Sequence, residues 1–214
     1  MPRLYIHPLP VRIWHWINAF GFVTLILTGV HLRYADLIAL VSFPTAVRIH
    51  NWTGFVLIAN YFVWLGFYLF TDKITVYHPE LNPKKYFEAS LRQAIYYGYG
   101  IFKGAPNPHH VSVYHKFNAL QSITYQIVMM ILVPIQFYTG LLLWDLERFE
   151  GSVALLGGVR VVATVHVALF IFFVVYILGH AYLGSLGHTA SAHFKAMVTG
   201  YEDVDDEGAK PRTS

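Results

Sequence analysis

Four apolar runs, Ile13–Val30, Thr53–Phe70, Leu120–Trp144 and Val161–Leu183, constrain this chain more than any other feature. Each is close to the ~20 residues that cross a hydrocarbon layer as a helix. Only 13% of the 214 residues are charged while 56% are hydrophobic, so the apolar content exceeds what a small soluble core can hide. The spacing predicts an all-α, integral membrane four-helix bundle in one membrane domain over 1–200. Its transmembrane helices are expected at about 13–33, 48–70, 118–144 and 160–186, with an acidic, polar C-terminal tail over 201–214. Arg3 and Arg12 precede no short apolar core with a cleavage site, so the first helix reads as retained rather than as a signal peptide.

Lysine and arginine set the expected orientation. Four crossings put the N-terminus, the second loop and the C-terminal tail on one side, and that side carries eleven of the 15 Lys and Arg residues. Only Arg33, Arg48, Arg148 and Arg160 fall on the other, which predicts that both termini are cytoplasmic. The second loop, 71–117, is long and rich in Tyr and Phe, which argues against a disordered linker. Lys84–Tyr97 is expected to form an interfacial helix broken by the Pro/Gly-rich Gly104–Pro108, and Ala192–Gly200 a second surface helix. The acidic run Glu202–Glu207 reads as solvated tail. A net charge of +3 suggests no nucleic-acid partner; the partner implied by composition is membrane lipid.

There is no cysteine, which excludes thiolate-held iron–sulfur clusters and covalently attached c-type haem. Histidine is abundant instead, 12 residues, several within apolar segments where an ionisable side chain is costly and marks a functional candidate. His166 and His180 on the fourth helix are 14 residues apart, hence about 21 Å along the axis and within roughly 40° of one face. One helix therefore offers a histidine at each membrane surface. Reading depth along the helices, His15 at the start of the first is level with His180, and His50 at the start of the second is level with His166. Two bis-histidine sites result. Neutral imidazole ligates iron, and two axial histidines leave no open coordination position, which suits electron transfer.

Neighbouring residues fit the same picture. Val11-Arg12-Ile13-Trp14-His15-Trp16 and Val47-Arg48-Ile49-His50-Asn51-Trp52 each set a basic residue near the histidine, so Arg12 and Arg48 are candidates for haem propionate contacts. Thr28-Gly29 and Thr139-Gly140 recur near the far ends of the first and third helices. Gly29, Gly140 and Gly54 are candidates for letting a flat macrocycle approach, against their alternative use in helix packing. The remaining histidines, among them His7, His31 and His193, read as loop or interface residues.

With Arg12-Ile13-Trp14-His15-Trp16, Arg48-Ile49-His50-Asn51-Trp52-Thr53-Gly54, Lys116-Phe117-Asn118-Ala119-Leu120-Gln121, His166 and His180 in view, the chain from Pro8 to about Gly200 resembles the di-haem cytochrome b subunits. That group comprises the b-type cytochromes of nickel–iron hydrogenases, the formate dehydrogenase gamma subunits and the thiosulfate reductase cytochrome b subunits, and the third-helix string and aromatic loop look most like the last. The resemblance implies two haem b, an inner one held by His15 and His180 and an outer one held by His50 and His166. It implies a quinone, menaquinone or ubiquinone, near the start of the third helix, with Asn118, Gln121, Tyr114 and His115 as candidate contacts. It implies an iron–sulfur or multihaem redox subunit at the outer face of a bacterial inner membrane, and no catalytic residues for that partner's substrate in this chain. Two alternatives stay open. One is a transporter whose intramembrane histidines carry protons or metal; the other is a haem conduit without a quinone site.

Overall fold

The computed structural model describes residues 3–38, 41–71, 82–109, 117–185, 189 and 191–203. Helices α1 (Leu9–Arg33), α2 (Phe43–Leu69) and α7 (Val159–Gly184) are each long and apolar enough to cross a membrane, as is the segment Ala119–Trp144. At 25 to 27 residues each, they reach roughly 38–40 Å, longer than the hydrocarbon layer. α1 and α2 begin four and five residues earlier than the expected bounds, because Pro10 and Pro44 suit a first helical turn, where a missing N–H costs nothing.

The third crossing is not one uniform helix. It runs as α4 (Ala119–Ile127), a π turn (Val128–Leu132) and α5 (Val133–Trp144). Pro134 cannot donate to the carbonyl one turn back, and the chain widens just ahead of it. The remaining helices are α3 (Pro83–Gly98), the short α6 (Glu150–Leu155) and α8 (Ala192–Thr199).

The chain divides into two compact units. One comprises Pro10–Gly66 and Ile131–Leu183, which takes in a length of all four crossings. Its buried apolar residues are few and include Leu57, Leu142, Val162 and Phe173. Large side chains such as Phe20, Trp52, Phe62 and Leu178 face outward, an apolar exposure that a lipid solvent satisfies and water does not. α1 and α2 approach closely at Gly21, where a Cβ would lie 2.5 Å from Leu57 Cδ2. They are joined again at the Trp14 carbonyl, which accepts from Asn60 Nδ2 (3.1 Å) and from Asn18 Nδ2 (2.8 Å).

The other unit comprises Met1–Leu9, Phe67–Met130 and Gly184–Ser214. α3 covers the helix expected at Lys84–Tyr97: Asn82 caps it, accepting from Lys84 N and Lys85 N, and Pro83 opens it. Gly104, at φ 70°, closes the following single turn Gly100–Lys103. A two-stranded antiparallel ribbon, β1 (Arg3–Tyr5) with β2 (Tyr201–Asp203), is an addition to the all-α expectation. Gly200 turns the chain into it at φ 90°, where a Cβ would lie 2.5 Å from the Tyr5 ring. The ribbon corrects the reading of this segment as tail. Glu202 is buried, 3.0 Å from His193 Nδ1 and 3.9 Å from His7 Nε2, because the N-terminal strand covers it. Residues 204–214 lie outside the described residues.

Candidate functional site

α1 and α7 bring His15 and His180 together, with ring centroids 6.1 Å apart and ring planes 48° from parallel. α2 and α7 do the same for His50 and His166, at 6.4 Å and 65°. Two metal–imidazole bonds of about 2 Å, plus about 1 Å from each nitrogen to its ring centre, add to about 6 Å. Both pairs are therefore spaced to hold one metal ion between two imidazoles. His15, His50 and His166 are half-buried and His180 is exposed, although all four sit in apolar helices. Among the described residues no cluster of three or more His, Cys, Asp or Glu side chains could hold a metal. Each pair thus supplies two ligands only, and a planar tetradentate macrocycle such as haem completes an iron's coordination.

The His50/His166 pair shows which ring nitrogen is available. Thr28 Oγ1 donates to the Thr24 carbonyl (2.7 Å), so at 2.9 Å from His50 Nδ1 it accepts the ring N–H. Thr139 Oγ1 donates to the Ile135 carbonyl (2.9 Å) and likewise accepts from His166 Nδ1 at 3.0 Å. Both rings then carry their proton on Nδ1 and present the Nε2 lone pair, which at His166 lies within reach of the Gln136 amide. Gln136 Nε2 lies 3.3 Å from His166 Nε2, while Gln136 Oε1 is buried with no hydrogen-bond partner. Gln136 and Thr139, three residues apart in α5, share a face and so meet the same imidazole.

The glycines divide. A Cβ on Gly140 would lie 3.2 Å from His166 Cε1, and one on Gly29 would lie 3.6 Å from His50 Cε1 and 3.8 Å from Phe170. A Cβ at Gly140 would thus crowd its imidazole, while one at Gly29 would make ordinary contact. A Cβ on Gly54 would meet nothing within 4 Å. Arg12 is half-buried and Arg48 exposed. At the His15/His180 pair, His15 Nδ1 is buried without a hydrogen-bond partner, and the His180 ring stacks on Tyr176 (6.0 Å, 16°).

Asn118 and Gln121 form a reciprocal cap at the start of α4. Asn118 Oδ1 accepts from Gln121 N at 2.9 Å, and Gln121 Oε1 accepts from Asn118 N at 3.0 Å. Asn118 Nδ2 also donates to the Tyr97 hydroxyl at 2.9 Å. Burial raises the Tyr97 pKa, offset in part by its hydrogen bonds with Asn118 and Gln93, so the phenol stays protonated. Tyr114 and His115 lie outside the described residues, as do His78, His110 and His188. His31, read as an interface residue, is buried in the last turn of α1.

Sequence reasoning alone misses Thr28, Thr139, Gln136 and Tyr97. The repeated Thr-Gly pair is the available signal; the glycine draws the attention, and the threonine supplies the hydrogen bond.

Comparison with known proteins agrees with this architecture. The chain matches the family described as prokaryotic cytochrome b561 over residues 6–200. It is 33% identical over 201 residues to the "Putative cytochrome YdhU" of Escherichia coli, covering 93% of this chain and 74% of that one. It is 26% identical over 171 residues to the "Putative protein-methionine-sulfoxide reductase subunit YedZ1" of Azospira oryzae, covering 75% and 80%. A 26-residue stretch, 12% of this chain and 11% of the relative, is 65% identical to the "Probable Ni/Fe-hydrogenase B-type cytochrome subunit" of Rhizobium leguminosarum. No solved structure matches significantly. The chain belongs to the prokaryotic cytochrome b561 family, membrane electron-transfer subunits whose membership implies b-type haem.

Proposed function

We propose that this chain is the membrane-anchor cytochrome of a respiratory oxidoreductase, carrying electrons through two b haems between the quinone pool and a redox partner. His15 and His180 would hold one haem, His50 and His166 the other. The observation that carries the reading is the spacing of the two ring pairs, 6.1 and 6.4 Å. A haem held between each histidine pair would supply one-electron transfer. The chain's own residues do the rest. Four imidazoles orient the two irons, Thr28 and Thr139 fix two of the tautomers, and the apolar spans exclude water.

The orientation follows from the lysine and arginine count, which puts His15 and His180 toward the cytoplasm and His50 and His166 toward the outer face. The partner would dock at the outer face, in keeping with relatives named as subunits of a hydrogenase and of a reductase. An iron–sulfur or multihaem protein fits that place, since the chain itself has no cysteine. Quinone exchange would occur at the cytoplasmic side near the start of α4. There the cap engages Asn118 and the Gln121 carbonyl, which leaves the Gln121 amide N–H groups as donors toward a quinone carbonyl.

The test is a reduced-minus-oxidised spectrum with haem quantitation on the purified chain, for the wild type, His50→Ala and His180→Ala. Two low-spin b haems per chain, with each variant losing a different one, is the expected result. Iron far below two per chain, or both variants losing the same haem, would refute it. A quinone-site inhibitor that leaves quinol-driven haem reduction unchanged would remove the quinone from the reading and leave the haems.

A further inference from the structure

The two histidine pairs differ in what their Nδ1 atoms meet. At His50 and His166 both Nδ1–H groups are held by threonine hydroxyls, at 2.9 and 3.0 Å. Each hydroxyl has already given its own proton to a helix carbonyl, so each acts as an acceptor. At the other pair His15 Nδ1 is buried with no hydrogen-bond partner, and His180 lays its ring flat on Tyr176. Thr28 and Thr139 stand on different helices, α1 and α5, and each sits immediately before the glycine that lies against the same imidazole. The arrangement is one device built twice around a single site and absent from His15.

We infer, resting on the two-haem reading above, that Thr28 and Thr139 are positioning residues that lower the reduction potential at the His50/His166 site below that at the His15/His180 site. A hydroxyl that accepts the Nδ1–H bond leaves more electron density on the imidazole, so Nε2 becomes a stronger donor and favours the ferric state over the ferrous. A buried Nδ1 with no hydrogen-bond partner, as at His15, has no such effect. The slope favours transfer of one electron from the reduced iron at His50/His166 to the oxidised iron at His15/His180. One iron is oxidised and the other reduced, and no bond breaks and no proton moves. The chain is thereby biased to accept electrons from a one-electron donor at the His50/His166 end and deliver them to a quinone at the other. That is the direction of quinone reduction.

An optical redox titration of the purified holoprotein tests this. In His15→Ala the surviving haem is the one at His50/His166, so its potential identifies that site without any threonine variant. The inference expects it to match the lower of the two wild-type steps. Thr28→Val and Thr139→Val should each raise that step by a shift worth about tenfold in the oxidised-to-reduced ratio, about 59 mV for one electron, and leave the upper step in place. Thr28→Ser and Thr139→Ser, which keep the hydroxyl, should titrate like the wild type. The inference is overturned if the His15→Ala haem matches the upper step, or if the valine variants move both steps or neither. Valine variants that fail to fold do not rescue it, because the order of the steps is read in the threonine-intact protein. A wild-type chain that binds no haem overturns the two-haem reading itself, whereas two haems in the wrong order overturn only the inference.

Discussion

Replacing Gly140 by alanine puts a methyl carbon 3.2 Å from His166 Cε1, closer than ordinary van der Waals contact. The imidazole cannot back away freely. Its Nδ1 is tied to Thr139 Oγ1 at 3.0 Å, and Thr139 is the residue immediately before the new methyl. Relief therefore comes from stretching that hydrogen bond or rotating the ring out of its metal-facing plane. Overpacking of this kind costs about 1–3 kcal/mol, which corresponds to a loss of roughly 5- to 150-fold in haem affinity at the His50/His166 site. Gly29→Ala is the matched control, because its methyl would stand 3.6 Å from His50 Cε1, an ordinary contact. Both substitutions gain about 1 kcal/mol of helix propensity, so the comparison isolates the ring contact. The assay is haem retained per chain during challenge with a haem scavenger, resolved by difference spectroscopy. Gly140→Ala should lose the His50/His166 haem faster than Gly29→Ala, with the His15/His180 haem retained in both. Equal loss in the two variants, or loss from the His15/His180 site, would refute the reasoning.

Two further outcomes are expected. Asn118→Ala removes the cap on α4 together with the donor to Tyr97 and should lower stability by about 0.5–2 kcal/mol, more than Tyr97→Phe, which keeps the cap and loses only the phenol's bonds with Asn118 and Gln93; a thermal melt of the purified protein that ranks them the other way contradicts the capping role. The Glu202 hydrogen bond raises the pKa of His193, so its contribution to the ribbon is complete below the unfolded histidine value of about 6.5 and is lost as pH rises through the higher folded value. Protection of the Ile6 amide, which donates to the Gly200 carbonyl, should fall across that window in wild type but not in Glu202→Gln. A pH-independent protection factor in the wild type would count against the link.

Much of the site is legible in the sequence because membrane burial makes polar side chains conspicuous. A histidine within an apolar span is costly unless it is used, and the rise per residue converts spacing into depth. His15 with His180 and His50 with His166 follow from those two facts, and the folded chain brings the same pairs to about 6 Å. Hydropathy alone misplaces the helix starts, since Pro10 and Pro44 open α1 and α2 ahead of the apolar runs. Pro134 is visible too, but the π turn ahead of it changes which residues of the third crossing share a face.

The sequence by itself determined four helices long and apolar enough to cross a membrane, the spacing of the histidines along them and the lack of any thiolate ligand, because these depend on composition and on distance along one helix. Only the tertiary structure decided what stands behind each imidazole. A threonine in an apolar helix ordinarily bonds its own backbone, as Thr24, Thr28, Thr139 and Thr164 all do. Of these four, Thr28 and Thr139 also meet a histidine from another helix. Glu202 shows the same limit at the chain's other end. Its charge reads as solvent-exposed until a strand from the N-terminus, nearly the whole chain away, pairs with it and brings His7 near, opposite His193 from the preceding helix. Local pattern fixes what a residue can do, whereas the partner it does it with is set by contacts between segments far apart in sequence.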